Sequence, residues 1–493
     1  MLKVVIPRAG TQSLKCVIPA KAGIQTFLAA LVFILLVPGG CMVGPDYKRP
    51  GVEVPKSWRT TEKEAKDVAD TAWWERFGDP ALDKLIDEAL RNNRDLKTAS
   101  CRVEEFAGQF IATRAPLFPQ AGAGFSAERS RLSEKGQFPF TSSLKNPANI
   151  FSASVNASWE IDLWGKIRRS AEAARADVLG TEEARRGVIL TLVTQVAGAY
   201  VNLLDLDRQL EIAESTAKTR EDYYRIFKLR FDAGVISDLE LSQVRSEYEQ
   251  AMAAIPVIEK AITQQEDALS VLVGRNPGPI ARGKGVDSLG LPPVPAGLPS
   301  ELLERRPDIR QAEQGLIAAN ARIGAAKAQY FPSISLTGAF GFSSTQLSKL
   351  FTGPAQAWNF GGAVLQPIFQ GGAIYGQVKA AKAVREETLF QYQKAIQDAF
   401  RDVDDALADH RRTQEQLVEQ KRRVDALKTY ARVARLRYDN GYTSYIEVLD
   451  AERSLFGAEL AYTQTKGALF QSLINLYKAM GGGWIAIADR KGK

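Results

Sequence analysis

Phe151-Ser152-Ala153-Ser154-Val155-Asn156-Ala157-Ser158-Trp159-Glu160-Ile161-Asp162 alternates without a break. Phe151, Ala153, Val155, Ala157, Trp159 and Ile161 fall on one side of an extended chain. Ser152, Ser154, Asn156, Ser158, Glu160 and Asp162 fall on the other. A period of two belongs to a strand with one apolar and one polar face. The stretch is about as long as the ~9–11 residues that a strand needs to cross a bilayer. A long strand in a soluble sandwich has the same split, so the flanking sequence decides between the two.

That flanking sequence is helical. From Ile167 to about Phe231 there is no proline. Ile189, Leu192, Val196, Ala199, Leu203, Leu206, Leu210, Ala213 and Ala217 recur in alternating steps of three and four residues, the period of coiled-coil packing. A helix over residues 167–233 is about 100 Å long at ~1.5 Å per residue. A second helix is expected from about Leu239 to Val273, with Pro256 as the place for a kink. Upstream, Leu82, Leu85, Ile86, Ala89 and Leu90 share one helix face. They predict a single helix from about Asp79 to Ala115 that stops before Pro116. Asn276 to Pro299 is rich in Pro and Gly and reads as a linker.

After the linker the scheme restarts. Asn93-Arg94-Asp95-Leu96 matches Arg306-Pro307-Asp308-Ile309, and Phe118-Pro119 matches Phe331-Pro332 at the same offset. At a slightly shorter offset Leu229-Arg230-Phe231-Asp232-Ala233-Gly234 matches Leu436-Arg437-Tyr438-Asp439-Asn440-Gly441. That offset also pairs Ala173-Ala174 with Ala380-Ala381, Val196 with Val403, and Gly274 with Gly481. Such a sustained register marks an internal duplication. Each half offers a hairpin between long helices, so one chain supplies about four strands. Four strands cannot close a barrel, and lipid tolerates no open sheet edge. Three copies give a closed barrel of twelve, an even number within the known range.

Phe27 to Val37 is an unbroken apolar run, with Lys3, Arg8, Lys15 and Lys21 before it and no acid. It is shorter than the ~20 residues of a membrane-spanning helix and reads as an export signal. Cys41 follows Gly39-Gly40 and reads as a lipid acceptor, although Pro38 stands where a lipobox usually has Leu. Val5-Ile6-Pro7-Arg8-Ala9-Gly10 recurs as Val17-Ile18-Pro19-Ala20-Lys21-Ala22-Gly23, and residues 1–26 read as a start-site extension. We divide the chain into leader 1–40, lipidated segment 41–80, first repeat 81–275, linker 276–300, second repeat 301–483 and tail 484–493.

Other function classes find little support. The net charge is +7, but four basic residues lie in the leader, and no Lys/Arg-rich block with interleaved aromatics suggests nucleic acid. The three cysteines, Cys16, Cys41 and Cys101, and the one histidine, His410, have no zinc or redox spacing. No nucleophile–base set or phosphate loop is visible, so we expect no enzyme, cofactor or bound metal.

Several motifs point to a family. The first is Cys41-Met42-Val43-Gly44-Pro45-Asp46-Tyr47-Lys48-Arg49-Pro50, followed by Trp73-Trp74 with Phe77-Gly78-Asp79-Pro80. Next come Glu304-Arg305-Arg306-Pro307-Asp308-Ile309, Ala312-Glu313, Ala325-Ala326-Lys327 and Phe331-Pro332-Ser333-Ile334. Arg437-Tyr438-Asp439-Asn440-Gly441 with Val448-Leu449-Asp450-Ala451 completes the set. From Cys41 to Gly483 the chain resembles the lipoprotein branch of TolC-like outer-membrane efflux channels. The resemblance implies a mainly α homotrimer with a small β part. A twelve-stranded transmembrane β-barrel would continue into a long antiparallel coiled-coil barrel in the periplasm, with a lipid anchor in the outer membrane. Strands would lie at 118–130, 149–162, 331–342 and 357–368, with loops 131–148 and 343–356 outside. The implied role is the passive exit duct of a tripartite multidrug efflux pump. Its partners would be a periplasmic adaptor (membrane fusion) protein and an inner-membrane resistance–nodulation–division transporter, and docking would open its tip.

Such a duct needs an anchor, docking tips and a gate. Cys41 is the anchor. Gly234, Val235 and Ser237 form one tip, and Gly441, Tyr442 and Ser444 the other. Gly suits a left-handed helix C-cap and Ser the next N-cap. Adaptor docking there is implied by the resemblance alone. Glu447 and Asp450, spaced i and i+3 on one helix face, match the family's acidic rings, and Tyr438 matches a residue that holds the aperture shut. Thr443 stands where the family has a basic partner for that tyrosine. The copies are not equivalent: Glu447 corresponds to Glu240 but Asp450 to Gln243, and Leu203 and Leu206 become His410 and Thr413. Three other readings compete: a type I protein-secretion channel, a metal-ion exporter, and a coiled-coil surface lipoprotein that forms no channel. No His/Met/Cys cluster suits soft metals, and the alternating strand argues against the last.

Overall fold

The computed structural model describes residues 42–55, 57–59, 72–133, 146–295, 299–482 and 484–491. Cys41, the leader and most of the loop between the first two strands lie outside the described residues. The chain divides into a β unit, built mainly from residues 117–168 and 327–368, and a helical unit built from most of the rest.

The β unit is a four-stranded sheet. β1 (Gln120–Ser130), β2 (Ala148–Ile161), β3 (Ser333–Ser344) and β4 (Gln356–Leu365) lie in that order, every pair antiparallel. The expected strands agree to within a few residues at each end. β2 alternates without a break, β3 alternates apart from Gly338, and the register extends the two faces across the sheet. Val155 stands opposite Ala123 and Phe340, and Phe340 opposite Trp358. Trp159 stands opposite Leu336, and Ile334 opposite Val364. One residue along, Asn156 stands opposite Gly122 and Ala339, and Ala339 opposite Asn359. The apolar face is uncovered: Val155, Phe340 and Trp358 are 54%, 51% and 66% exposed. This pattern, apolar outside and small or polar inside, suits a sheet that faces lipid. The second Phe-Pro copy is anchored at a hairpin base, where the Trp164 indole donates to the Pro332 carbonyl at 2.9 Å and its ring stacks on Phe331.

The helical unit holds α1 (Pro80–Asn92), α2 (Arg94–Arg114), α3 (Lys166–Asp232), α4 (Asp238–Leu272), α5 (Leu302–Arg305), α6 (Pro307–Ala328), α7 (Ala373–Asp439), α8 (Tyr445–Ala479) and α9 (Ile485–Lys491). α3 and α7 each have 67 residues, and α4 and α8 each have 35. The helix expected from 79 to 115 is two helices. Asn93 leaves helical geometry, caps the Leu96 amide with its side-chain oxygen at 2.9 Å, and donates to the Leu272 carbonyl at 2.9 Å. The second repeat breaks at the equivalent place, with Arg306 extended before Pro307. Pro256 lies inside α4, which runs through it without interruption.

The expected apolar stripe forms the core of α3. Ile189, Leu192, Val196, Leu203, Ala213 and Ala217 are buried. α3 is long and apolar enough to cross a membrane, but most of its most apolar stretch is buried in helix packing, so we read it as core. The interrupted stripe of α7 is not a solvated gap. His410 and Thr413 are buried, and His410 Nδ1 lies 3.1 Å from Ser472 Oγ on α8. The C-terminal segment carries α9, held through Arg185, which grips Asp489 with two hydrogen bonds of 2.8 Å.

Candidate functional site

The two helix–turn–helix tips have one geometry. After α3, Gly234 adopts φ +72°, its amide donates to the Phe231 carbonyl, and the Val235 amide reaches back to the Arg230 carbonyl at 2.8 Å. After α7, Gly441 adopts φ +74°, its amide donates to Tyr438, and the Tyr442 amide reaches Arg437 at 2.8 Å. This backward six-to-one bond closes a helix end and requires a left-handed residue. The tips expose apolar side chains, with Val235 71% and Tyr442 77% accessible.

The serines differ. Ser237 forms a full capping box with Glu240: Ser237 Oγ accepts from the Glu240 amide at 3.3 Å, and the Glu240 carboxylate accepts from the Ser237 amide at 3.0 Å. Ser444 also stands extended at the N-cap, the position its sequence suggests, but makes no side-chain cap bond. Its potential box partner, Glu447, has its carboxylate 3.9 Å from Arg437 Nη1 on α7. Ser237→Ala is expected to cost about 1 kcal/mol at the first tip. Hydrogen exchange at the Leu239 to Leu241 amides would show it as faster local opening, and Ser444→Ala should show no comparable change.

The gate candidates lie just inside the second tip. Glu447 is half-buried and Asp450 exposed, one turn apart on α8 and on one face. Asp450 accepts from the Tyr430 hydroxyl at 3.4 Å. The Tyr438 hydroxyl accepts from Arg230 Nη1 at 3.3 Å, and its ring stacks on Phe227. Phe227 also packs on Tyr445, with ring centres 4.3 Å apart. Within one chain, Tyr438 therefore fastens α7 to α3, while Glu447 and Asp450 are held from α7.

Sequence reasoning missed the cations of this region. Arg230 and Arg437 occupy equivalent positions of the two repeats, a visible signal, yet one engages Tyr438 and the other Glu447. Arg435 lies 3.6 Å above the Tyr223 ring and beside Glu452, whose carboxyl burial pushes above its ordinary value. Among the described residues, no group of three or more His, Cys, Asp or Glu side chains gathers into a metal-sized cluster.

Comparison with known proteins places this geometry. The family described as outer membrane efflux protein matches residues 85–275 and 298–482. The toluene efflux pump outer membrane protein TtgC of Pseudomonas putida is 37% identical over 469 residues, 93% of this chain and 95% of that protein. The cation efflux system protein CusC of Escherichia coli is 36% identical over 458 residues, 91% of this chain and 98% of that protein. Among solved structures, the Campylobacter jejuni CmeC outer membrane channel matches with a TM-score of 0.84 at 28% identity, covering 90% of this chain and 95% of that one.

Proposed function

The chain belongs to the outer membrane efflux protein family, and from that premise we propose how its second tip gates an efflux duct. The protein is the outer-membrane component of an efflux pump, with transmembrane strands and a periplasmic helical part. The observation that carries this reading is the sheet whose register puts one apolar face across all four strands. The free edges of β1 and β4 require further strands in lipid, and a homotrimer supplies them as a barrel of twelve. Cys41, outside the described residues, is the proposed lipid anchor.

The tips, with Val235 and Tyr442 exposed, are the proposed docking points for a periplasmic adaptor that couples the duct to an inner-membrane resistance–nodulation–division transporter. TtgC and CusC match almost equally well and are named for toluene and for cations. The proposed cargo is organic compounds, because His410, Cys41 and Cys101 are scattered along the chain and supply no soft-metal ligand set.

In a trimer Glu447 and Asp450 form two stacked rings of three carboxylates. Such rings attract cations. The double variant Glu447→Ala with Asp450→Ala is expected to lose most of the cation preference of single channels in planar bilayers. A reversal potential equal to wild type would remove the gate assignment.

A further inference from the structure

The helical unit holds a cavity of about 360 Å³ between α3, α7 and α8 that neither the tips nor the gate uses. Thr216 and Arg220 line it from α3, Arg432 and Arg435 from α7, and Glu452 and Phe456 from α8. Its size falls within the ~300–1,000 Å³ of small-molecule sites.

The charges on its wall do not cancel. Glu459, also on the wall, is answered by Lys428 at 3.2 Å. Glu452 has Arg435 Nη1 3.8 Å away, an ion pair too long for a hydrogen bond. Arg220, 3% exposed, has Glu247 on α4, with Nη1 3.1 Å from Oε2. Arg432 remains. Its side chain is exposed and, among the described residues, forms no ion pair and no hydrogen bond. The surplus charge at the cavity is therefore positive.

Hydrogen-bonding capacity points the same way. Arg220 Nη2 and Arg435 Nη1 are buried and have no hydrogen-bond partner, and an unmet buried donor is costly. The Thr216 hydroxyl likewise bonds to no described residue. Burial pushes the Arg220 guanidinium below its ordinary value even with Glu247 beside it, so this cation is under-compensated. The two inner arginines are also held in place by rings: Arg435 lies 3.6 Å above Tyr223, and Arg220 lies 5.4 Å from the centre of Phe456. Fixed cations with open donors recognise an anionic oxygen, which supplies charge and acceptors together. Leu455 and Phe456 add an apolar stretch of wall.

We propose that this cavity is a binding site for a small organic anion, one carboxylate or sulfonate group on an aromatic or aliphatic body. The anionic group sits among Arg220, Arg432 and Arg435, and the body lies against Leu455 and Phe456. A bare inorganic anion answers the charge but leaves most of the space and the apolar wall unused. An amine meets the surplus of positive charge. The site goes beyond the duct reading and does not rest on it.

The test is calorimetric titration of the full-length chain in detergent against matched empty micelles, with 2-naphthoate as probe. Binding is expected with a dissociation constant on the order of 0.1 mM, weakening as salt is added. Arg432→Gln is expected to weaken it on the order of tenfold with the melting temperature unchanged, because that side chain holds no other group. Arg432→Lys keeps the charge and should retain most of the affinity. No binding above the micelle background overturns the proposal, and so does equal binding of 2-naphthylmethylamine. Inorganic phosphate that binds as tightly as 2-naphthoate removes the role of the apolar wall and overturns the organic class. An Arg432→Gln chain that binds 2-naphthoate like wild type places the molecule elsewhere and overturns the site.

Discussion

Val155→Arg is expected to prevent stable insertion of the sheet, while Asn156→Arg, one residue along the same strand, leaves insertion nearly intact. The two positions differ only in the face they occupy. Val155 sits near the middle of β2 in a cross-sheet row with Ala123, Phe340 and Trp358, and its own chain leaves it 54% exposed. An arginine on the lipid face near the bilayer midplane costs about 2–4 kcal/mol in one chain. A trimer incurs that cost three times in one barrel. Asn156, by contrast, sits in the row of Gly122, Ala339 and Asn359, on the face a barrel turns to its water-filled lumen. There an arginine keeps its hydration and alters conductance more than folding. The measurement is the fraction of protein that runs as heat-modifiable trimer after reconstitution into vesicles. Equal yields from both variants would remove either the face assignment or the sheet from the bilayer.

The same rows explain what the sequence disclosed. β2 was legible because its apolar side chains are large and its polar ones unambiguous. β1 was not, because Gln120-Ala121-Gly122-Ala123-Gly124 carries almost no hydropathy contrast. Its face is defined only by what it pairs with, and pairing is a non-local fact. The long helices were legible from their period, and the tips from a repeated Gly whose φ near +70° no side chain favours. The break at Asn93 was hidden because the apolar rhythm from Leu82 to Leu90 gives no warning of it. Its cause is a side-chain cap on Leu96 and a bond to Leu272, far along the chain.

The charged partners were hidden for the same reason. Glu247 looks like one more solvated acid on a polar helix until Arg220 and Arg453 arrive from two other helices. Arg437 looked like part of a family motif rather than the cation that holds Glu447. Sequence spacing identifies side chains on one helix face. It does not identify which face of which other helix will meet them.

Asp205→Asn is expected to stabilise the helical unit at neutral pH and to lose that advantage in acid. Asp205 lies on α3, 6% exposed. Gln209 donates to Oδ2 at 2.8 Å, while Oδ1 has no hydrogen-bond partner. Gly467 on α8 makes the close approach possible, since a Cβ there would lie 3.1 Å from Asp205 Cγ. Burial raises the carboxyl from 3.8 to about 6, and the Gln209 bond only partly offsets it. The folded chain therefore holds this proton more tightly than the unfolded chain does. Stability is greatest below the unfolded value and falls as pH rises from about 4 to about 6. Above that window the full cost is present, on the order of 2–3 kcal/mol. Asn keeps an acceptor for Gln209 and removes the charge. Urea unfolding of the helical signal should therefore favour the variant at about pH 7.5 and bring the two chains to within about 1 kcal/mol near pH 4. A difference independent of pH would mean that shape at this seam, rather than charge, sets the cost. The seam is the one that joins α3 to α8, and α8 is the helix that carries Glu447, Asp450 and Arg453. A chain selected only for rigidity would place an apolar or amide side chain at this position. The buried acid keeps the α3–α8 contact weaker at neutral pH than its packing alone would make it.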